Sequence, residues 1–342
     1  MNKTVKIIFR TVLTAAVLIL LYITFLFFIP NFSLKNQEKQ YLFIQNDHNY
    51  TNVVTQLQEK ANVFSIFTFN QAASILGYKN NIKAGRYRIK SGANNFTLIR
   101  ALRSGRQTPV ELKLNNIRTK EQLAERLSKE LIPDSMQFMT MLNDTAFLAK
   151  YNLNPYNSIA IFLPNTYSFY WNTDVQKVFD KMYKEYGKFW TDARKGQAAA
   201  IPLSETEVIT LASIVDGESN SAAEKPIIAG LYINRLQKNM PLQADPTVIF
   251  AAGDFSIKRV TSAHTSIQSP YNTYKNKGLP PGPIRIPDLK TIDAVLNHDK
   301  NDYIYMCAKE TLNGEHNFAA TWAEHQINAK KYQEALNQRG IR

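Results

Sequence analysis

One uncharged run constrains this chain more than any other feature. Residues 11–29 read TVLTAAVLILLYITFLFFI, 19 positions without a charged side chain. That is close to the roughly 20 apolar residues a helix needs to cross a bilayer. Lys3, Lys6 and Arg10 precede it, and basic flanks favour the cytoplasmic side. Pro30 and Asn31 follow as a stop. A cleavable signal peptide has a shorter apolar core and a small-residue cleavage site, whereas this run closes on the bulky FLFFIPNF. The expectation is an uncleaved single-pass anchor over residues 11–30, with residues 1–10 in the cytoplasm. Everything after about residue 31 then lies outside the cytoplasmic membrane.

No later run approaches spanning length, so the rest of the 342 residues reads as one soluble body with room for two domains. A chain that is 44% hydrophobic and 20% charged is not a disordered one. The formal net charge of +13 favours an anionic partner. Nucleic acid is not the expected one, because zinc-finger spacing, RNP-like motifs and Walker loops are missing. The single Cys307 excludes an intramolecular disulfide and a multi-cysteine metal site.

Residues 31–40 are polar and read as a juxtamembrane linker. A strand is expected at 41–44, helices over 50–63 and 68–76, and an alternating, half-buried strand in KAGRYRIK (83–90). NNFTLIRALRSG (94–105) predicts an amphipathic helix capped by Gly105, and TPVELKL (108–114) another strand. Residues 41–115 therefore form a small α+β unit. Residues 116–154 read as a helical connecting region that begins with a helix at 119–131. Residues 133–190 are mostly helical, broken by the aromatic loop FLPNTYSFYW (162–171), whose Phe169, Tyr170 and Trp171 read as core. Residues 155–342 form the larger α+β unit, ending in a strand at 302–309 and a helix at 322–336.

LSETEVITLASIVDGES carries the most informative helix. Ser204 and Glu207 make an S-x-x-E capping box. Val208, Leu211, Ala212 and Val215 then form an apolar stripe at helical spacing. Asp216 and Glu218 follow, flanking that stripe at similar angles, so the helical wheel does not choose between them. A carboxyl at the edge of a buried face loses hydration, which raises its pKa toward that of a working general acid. The plain alternative is that both acids are solvated and one caps a turn. Gly217 between them removes a side chain where a polymer could come close.

Further along, Pro246 biases Asp245 toward an extended conformation. Gln243, Asp245 and Thr247 then alternate along one side of the chain. Tyr271, Asn272 and Tyr274 stand in the Pro-rich SPYNTYKNKGLPPGPI (269–284), and His316 and Asn317 on a polar turn in GEHNFAAT (314–321). Aromatic rings beside amides and hydroxyls suit a sugar, with its apolar C–H faces and polar edges.

LASIVDGES, INRLQKNMPLQADPTVIF, SPYNTYKNKGLPPGPI and HNFAATWAEH, in this order and spacing, resemble the YceG/MltG-like endolytic murein transglycosylases over residues 155–336. IKAGRYRIKSGANNFTLIRALRSGR (82–106) resembles that family's LysM-like module, which makes residues 41–115 a LysM-like peptidoglycan-binding module and residues 155–342 a YceG-like catalytic domain. The fold class this implies is α+β, with a single N-terminal transmembrane helix, a small LysM-like module and a larger catalytic domain.

The resemblance implies cleavage within peptidoglycan glycan strands at the periplasmic, extracytoplasmic face of the cell inner (cytoplasmic) membrane, leaving 1,6-anhydro-muramic acid ends, by one catalytic Glu without a metal or other cofactor. The second acid of the motif, Glu218, aligns with that residue. Relatives often carry Glu where this chain has Asp216, and a P-E-G turn where it has KLNNIRTKEQLAERL. Asp216, Gln243, Asp245, Tyr271, Asn272, Tyr274, His316 and Asn317 are the expected substrate-binding residues. Expected partners are the glycan strands, inner-membrane lipids through the anchor, and cell-wall synthases; nucleic acid is not among them. The rival reading is a non-catalytic, membrane-anchored peptidoglycan-binding scaffold. A metalloenzyme finds no support, because His264, His298, His316 and His325 lack the HExxH spacing.

Overall fold

The computed structural model describes residues 3–35 and 38–340. The two terminal residues at each end, and Asn36 and Gln37 of the expected linker, lie outside the described residues. Helix and strand are mixed throughout, and the chain divides into two units.

The first unit opens with α1 (Lys3–Phe27), long and apolar enough to cross a membrane. The helix stops at Phe27, three residues before Pro30. Its last turn is built into the unit that follows, where Leu26 is buried in the core. β1 (Phe32–Leu34) follows directly, so part of the segment read as a linker is strand. The reason is a buried polar pair that no hydrophobic pattern reveals. Asn31 Nδ2 donates to Asn95 Oδ1 at 2.7 Å, while Asn95 Nδ2 donates to the Leu26 carbonyl at 2.8 Å. A carbonyl from the last turn of α1 is thereby satisfied.

β2 (Gln40–Ile44), α2 (Tyr50–Lys60), β3 (Ala61–Val63), α3 (Ile66–Ile75), β4 (Gly85–Ile89) and α4 (Asn95–Ser104) complete this unit. β1 pairs with β3 and β2 with β4, both antiparallel. In β4, Tyr87 and Ile89 enter the core while Arg86 and Arg88 face outward, the expected alternation. Gly105 ends α4 at φ 72°, a left-handed cap suited to glycine.

β5 (Val110–Leu114), α5 (Lys120–Ser128), α6 (Ser135–Asn143) and α7 (Thr145–Ala149) come next. The expected aromatic loop contains β6 (Asn165–Phe169), which pairs with β5. Phe169 is buried as expected, but Tyr170 is exposed. α8 (Val175–Phe189) and α9 (Asp192–Ala200) lead to α10 (Glu205–Glu218).

α10 is the central helix of the second unit. Every residue from Val208 to Asp216 is buried, so it is enclosed on all sides rather than along one stripe. α11 (Lys225–Gln237), α12 (Asp245–Ala252) and α14 (Leu289–Leu296) pack on it, with the short α13 (Ser262–Thr265) beside α12. Gly217 serves this packing. A Cβ there would meet Pro246 Cβ at 2.8 Å, so the glycine admits Pro246, not a polymer. β7 (Tyr305–Ala308) and β8 (His316–Ala319) form an antiparallel hairpin, and α15 (Trp322–Gln338) follows. His316 and Asn317 therefore stand on a strand, not a turn.

Candidate active site

The capping box forms as the sequence predicts. The Glu207 backbone N–H donates to Ser204 Oγ, and the Ser204 N–H to Glu207 Oε2 at 2.8 Å. This fixes the start of α10 and, fourteen residues on, places Glu218 at its last position. Glu218 is half-buried and lines a cavity of about 420 Å³ together with Tyr232, Arg235, Gln243, Asp245, Tyr274 and His316. A larger cavity of about 650 Å³ lies near the N-terminal end of α10 but contains none of the expected site residues.

Tyr232 on α11 donates its hydroxyl to Glu218 Oε1 at 2.6 Å. Burial pushes the Glu218 carboxyl up to about 7. The Tyr232 hydrogen bond opposes this, the Asp245 carboxylate adds to it, and the Arg235 charge opposes it again. Tyr232 is itself raised well above the usual phenol range, first by burial and then by the neighbouring Glu218 charge, so it stays a protonated donor. Arg235 is buried, with Nε donating to the Ile304 carbonyl at 2.6 Å and Nη1 to the Leu242 carbonyl at 2.8 Å. Tyr274 donates to Asp245 Oδ1 at 2.6 Å. Gln243 sits at φ 50°, a left-handed turn directly before α12. Asp245 is the first residue of that helix rather than part of an extended run, and Thr247 is buried with its hydroxyl on the Ala244 carbonyl.

Four expected substrate-binding residues are placed elsewhere. Asp216 is buried on another side of α10, where Oδ1 accepts from Lys225 Nζ at 2.6 Å and from Thr291 Oγ1 at 2.7 Å. Arg285 Nε lies 3.3 Å from Oδ2, an ion-pair distance without hydrogen-bond geometry. Asp216 thus ties α10 to α11, α14 and the Pro-rich segment. Asn272 is buried and donates to the Thr265 and Ile267 carbonyls. Tyr271 packs its ring on Phe250 and donates to the Tyr156 carbonyl at 3.2 Å. Asn317 donates to Glu310. None of the four lines the cavity of Glu218.

Sequence reasoning missed Tyr232, Arg235 and Glu224. The first two are buried in an ordinary apolar helix pattern, GLYINRL. Glu224 accepts from Ser219 Oγ at 3.0 Å and from the His316 backbone N–H at 2.7 Å, and its Oε2 lies 3.1 Å from His316 Nδ1. Burial alone would raise its pKa, but the bonds from His316 and Ser219 outweigh burial and hold it below the usual range. The carboxylate anchors β8, and with it His316, at the cavity.

An acid near pH 7 in a groove with amide, phenol and imidazole groups can give and retake a proton on a polar polymer. The sequence model described as the YceG-like family matches residues 42–331. This chain belongs to the YceG-like family. It is 31% identical over 276 residues to a Bacillus subtilis protein named endolytic murein transglycosylase, covering 76% of each chain. A Streptococcus pneumoniae protein of the same name is 28% identical over 295 residues; the match covers 75% of this chain and 52% of that longer one. The crystal structure of a yceG-like protein from Listeria monocytogenes superposes with a TM-score of 0.55 at 26% identity, covering 85% of this chain and 99% of the other.

Proposed function

We propose that this chain is a membrane-anchored endolytic lytic transglycosylase that cleaves the MurNAc–GlcNAc β-1,4 bond within nascent peptidoglycan strands. Family membership and the names of the relatives support the activity. The observation that carries the mechanism is the half-buried Glu218, with a pKa of about 7, on a cavity lined by Gln243, Asp245, Tyr274 and His316.

Protonated Glu218 gives its proton to the glycosidic oxygen as the bond from that oxygen to the muramic acid C1 breaks. The electron pair of the bond leaves with the oxygen. The 6-hydroxyl of the same muramic acid attacks C1, and its proton passes to the Glu218 carboxylate. The acid is regenerated and no water is consumed. Glycosidases that admit water or form a covalent intermediate need a second carboxylate for that step. An intramolecular nucleophile removes the need, and its proximity lowers the barrier. Tyr232 holds the carboxyl in place and steadies it when ionised. Burial keeps the Glu218 pKa high, and the charge of Asp245, fixed by Tyr274, adds to it. Gln243, Asp245, Tyr274 and His316 position the strand.

In this reading α1 anchors the chain in the inner membrane, through contact with its lipids, with the N-terminus in the cytoplasm. The first unit, as a LysM-like module, binds peptidoglycan on the far side, where cell-wall synthases deliver new strands. Digestion of purified sacculi by the full chain, followed by mass spectrometry, tests the reaction type. The expected products carry 1,6-anhydro-muramic acid ends. Products heavier by one water would make the enzyme a hydrolase, and no products would favour a binding scaffold.

A further inference from the structure

One wall of the Glu218 cavity takes no part in the proton chemistry. Tyr305 on β7, with Trp322 and His325 at the start of α15, lines it. Their rings form a closed cluster, with centroids 5.5 Å apart for Tyr305 and Trp322, 5.3 Å for Tyr305 and His325, and 5.2 Å for Trp322 and His325. A cluster of this kind normally forms part of a core. Trp322 breaks that rule, because it is 56% exposed while bordering the cavity.

The backbone that carries the exposed ring is fixed, and the ring rests on Tyr305 and His325. Thr321 caps α15, and the Glu324 carboxylate accepts from the Ala320 and Thr321 N–H groups at 3.1 Å each. His325 packs against the Trp322 ring at a 36° tilt and is itself stacked on Tyr305 at 24°. The His325 Nδ1 is buried without a hydrogen-bond partner among the described residues, and burial, then the Arg235 charge, lowers the pKa of the ring, which favours its neutral form. A preorganised aromatic face binds without the cost of ordering a flexible side chain. It matches a ligand with one apolar C–H face and polar edges, and the cavity supplies the polar partners in Gln243 and His316.

We propose that Trp322, backed by Tyr305 and His325, is a stacking platform for one N-acetylated sugar ring of the glycan strand, beside the bond that Glu218 cleaves. The proposal rests on the reading of this cavity as the glycan site.

The test uses the full chain in detergent, carrying Glu218→Gln so that binding is read without turnover. The probe is a purified GlcNAc–MurNAc tetrasaccharide, titrated by calorimetry. Trp322→Ala is expected to weaken binding about tenfold, the size of a good aromatic contact. Trp322→Leu keeps apolar bulk without a ring face and is expected to bind as weakly as Trp322→Ala, while Trp322→Phe recovers most of the affinity. In the active enzyme, Trp322→Ala raises KM more than it lowers kcat. Binding by Trp322→Ala within about twofold of its parent, or a parent that does not bind the tetrasaccharide, overturns the platform. Glycan release by Glu218→Gln would instead sink the acid assignment, and the binding comparison would stand apart from it.

Discussion

Tyr232 and Glu218 share a 2.6 Å hydrogen bond between neighbouring helices, with the phenol as donor. The bond favours the charged carboxylate, while burial and the Asp245 charge favour the neutral acid. The balance holds Glu218 near the pH at which it must work.

Removing the hydrogen bond shifts that balance in a defined direction. Tyr232→Phe leaves burial and Asp245 unopposed by the phenol, so the Glu218 pKa rises above about 7. The alkaline limb of the pH–rate profile, where the acid loses its proton, is expected to move to higher pH. A limb that stays in place or moves lower would show that the phenol does not act on Glu218.

Asp245→Asn works in the opposite sense. Its charge raises the Glu218 pKa, so its removal lowers that pKa, and the alkaline limb is expected to move to lower pH. Asn keeps an acceptor for Tyr274, whose hydrogen bond now fixes Asp245. Steady-state rates between pH 5 and 9 measure both shifts in one series; equal profiles for Asp245→Asn and the parent would remove Asp245 from the account.

Stability carries the same signature. The folded pKa of Glu218, at about 7, lies above its ordinary value of 4.5. The stabilising contribution of the neutral acid is therefore fully present below about pH 4.5 and is lost as pH rises through about 7. The loss is on the order of 3 kcal/mol at most. Glu218→Gln cannot ionise, so its melting temperature is expected to exceed the parent's at pH 8 and to approach it at pH 5. A gap of the same size at both values would contradict the raised pKa.

Asp216 is expected to matter for folding, not for proton transfer. Asp216→Ala leaves the partly buried Lys225 with Thr291 but without its carboxylate, at a cost expected at or below the about 3–5 kcal/mol of a fully buried pair. Chemical denaturation of Asp216→Ala and of Asp216→Leu with Lys225→Met measures it, and the double variant is expected to regain part of the loss. A single variant that unfolds like the parent would show that the cluster is not a tie.

Much of this was legible from local pattern. The capping box of α10 involves residues three apart, and the alternation of β4 is visible in KAGRYRIK. The choice between Asp216 and Glu218 was not legible from the wheel, because α10 is buried all round. What separates the two acids is distant in sequence: Thr291 lies 75 residues from Asp216, and Tyr232 14 residues from Glu218. The same limit explains the linker. Asn31 looks like solvent-facing polar chain until Asn95, 64 residues away, closes on it. Tyr271 and Asn272 have the chemistry of sugar-binding residues, but their polar side-chain atoms are spent on holding loops, which composition does not show. Trp322 was visible within HNFAATWAEH, yet only the fold brings it to the cavity of Glu218.

The most direct test of the central claim compares the full-length parent and Glu218→Gln on purified sacculi, with 1,6-anhydro ends counted by mass spectrometry. Loss of a general acid typically costs about 10²–10⁴ in rate. Glu218→Gln is accordingly expected to release about a hundredth of the parent's anhydro products or less, while remaining folded and still binding glycan. Release at the parent's rate would contradict the assignment of Glu218 as the acid and base of this enzyme.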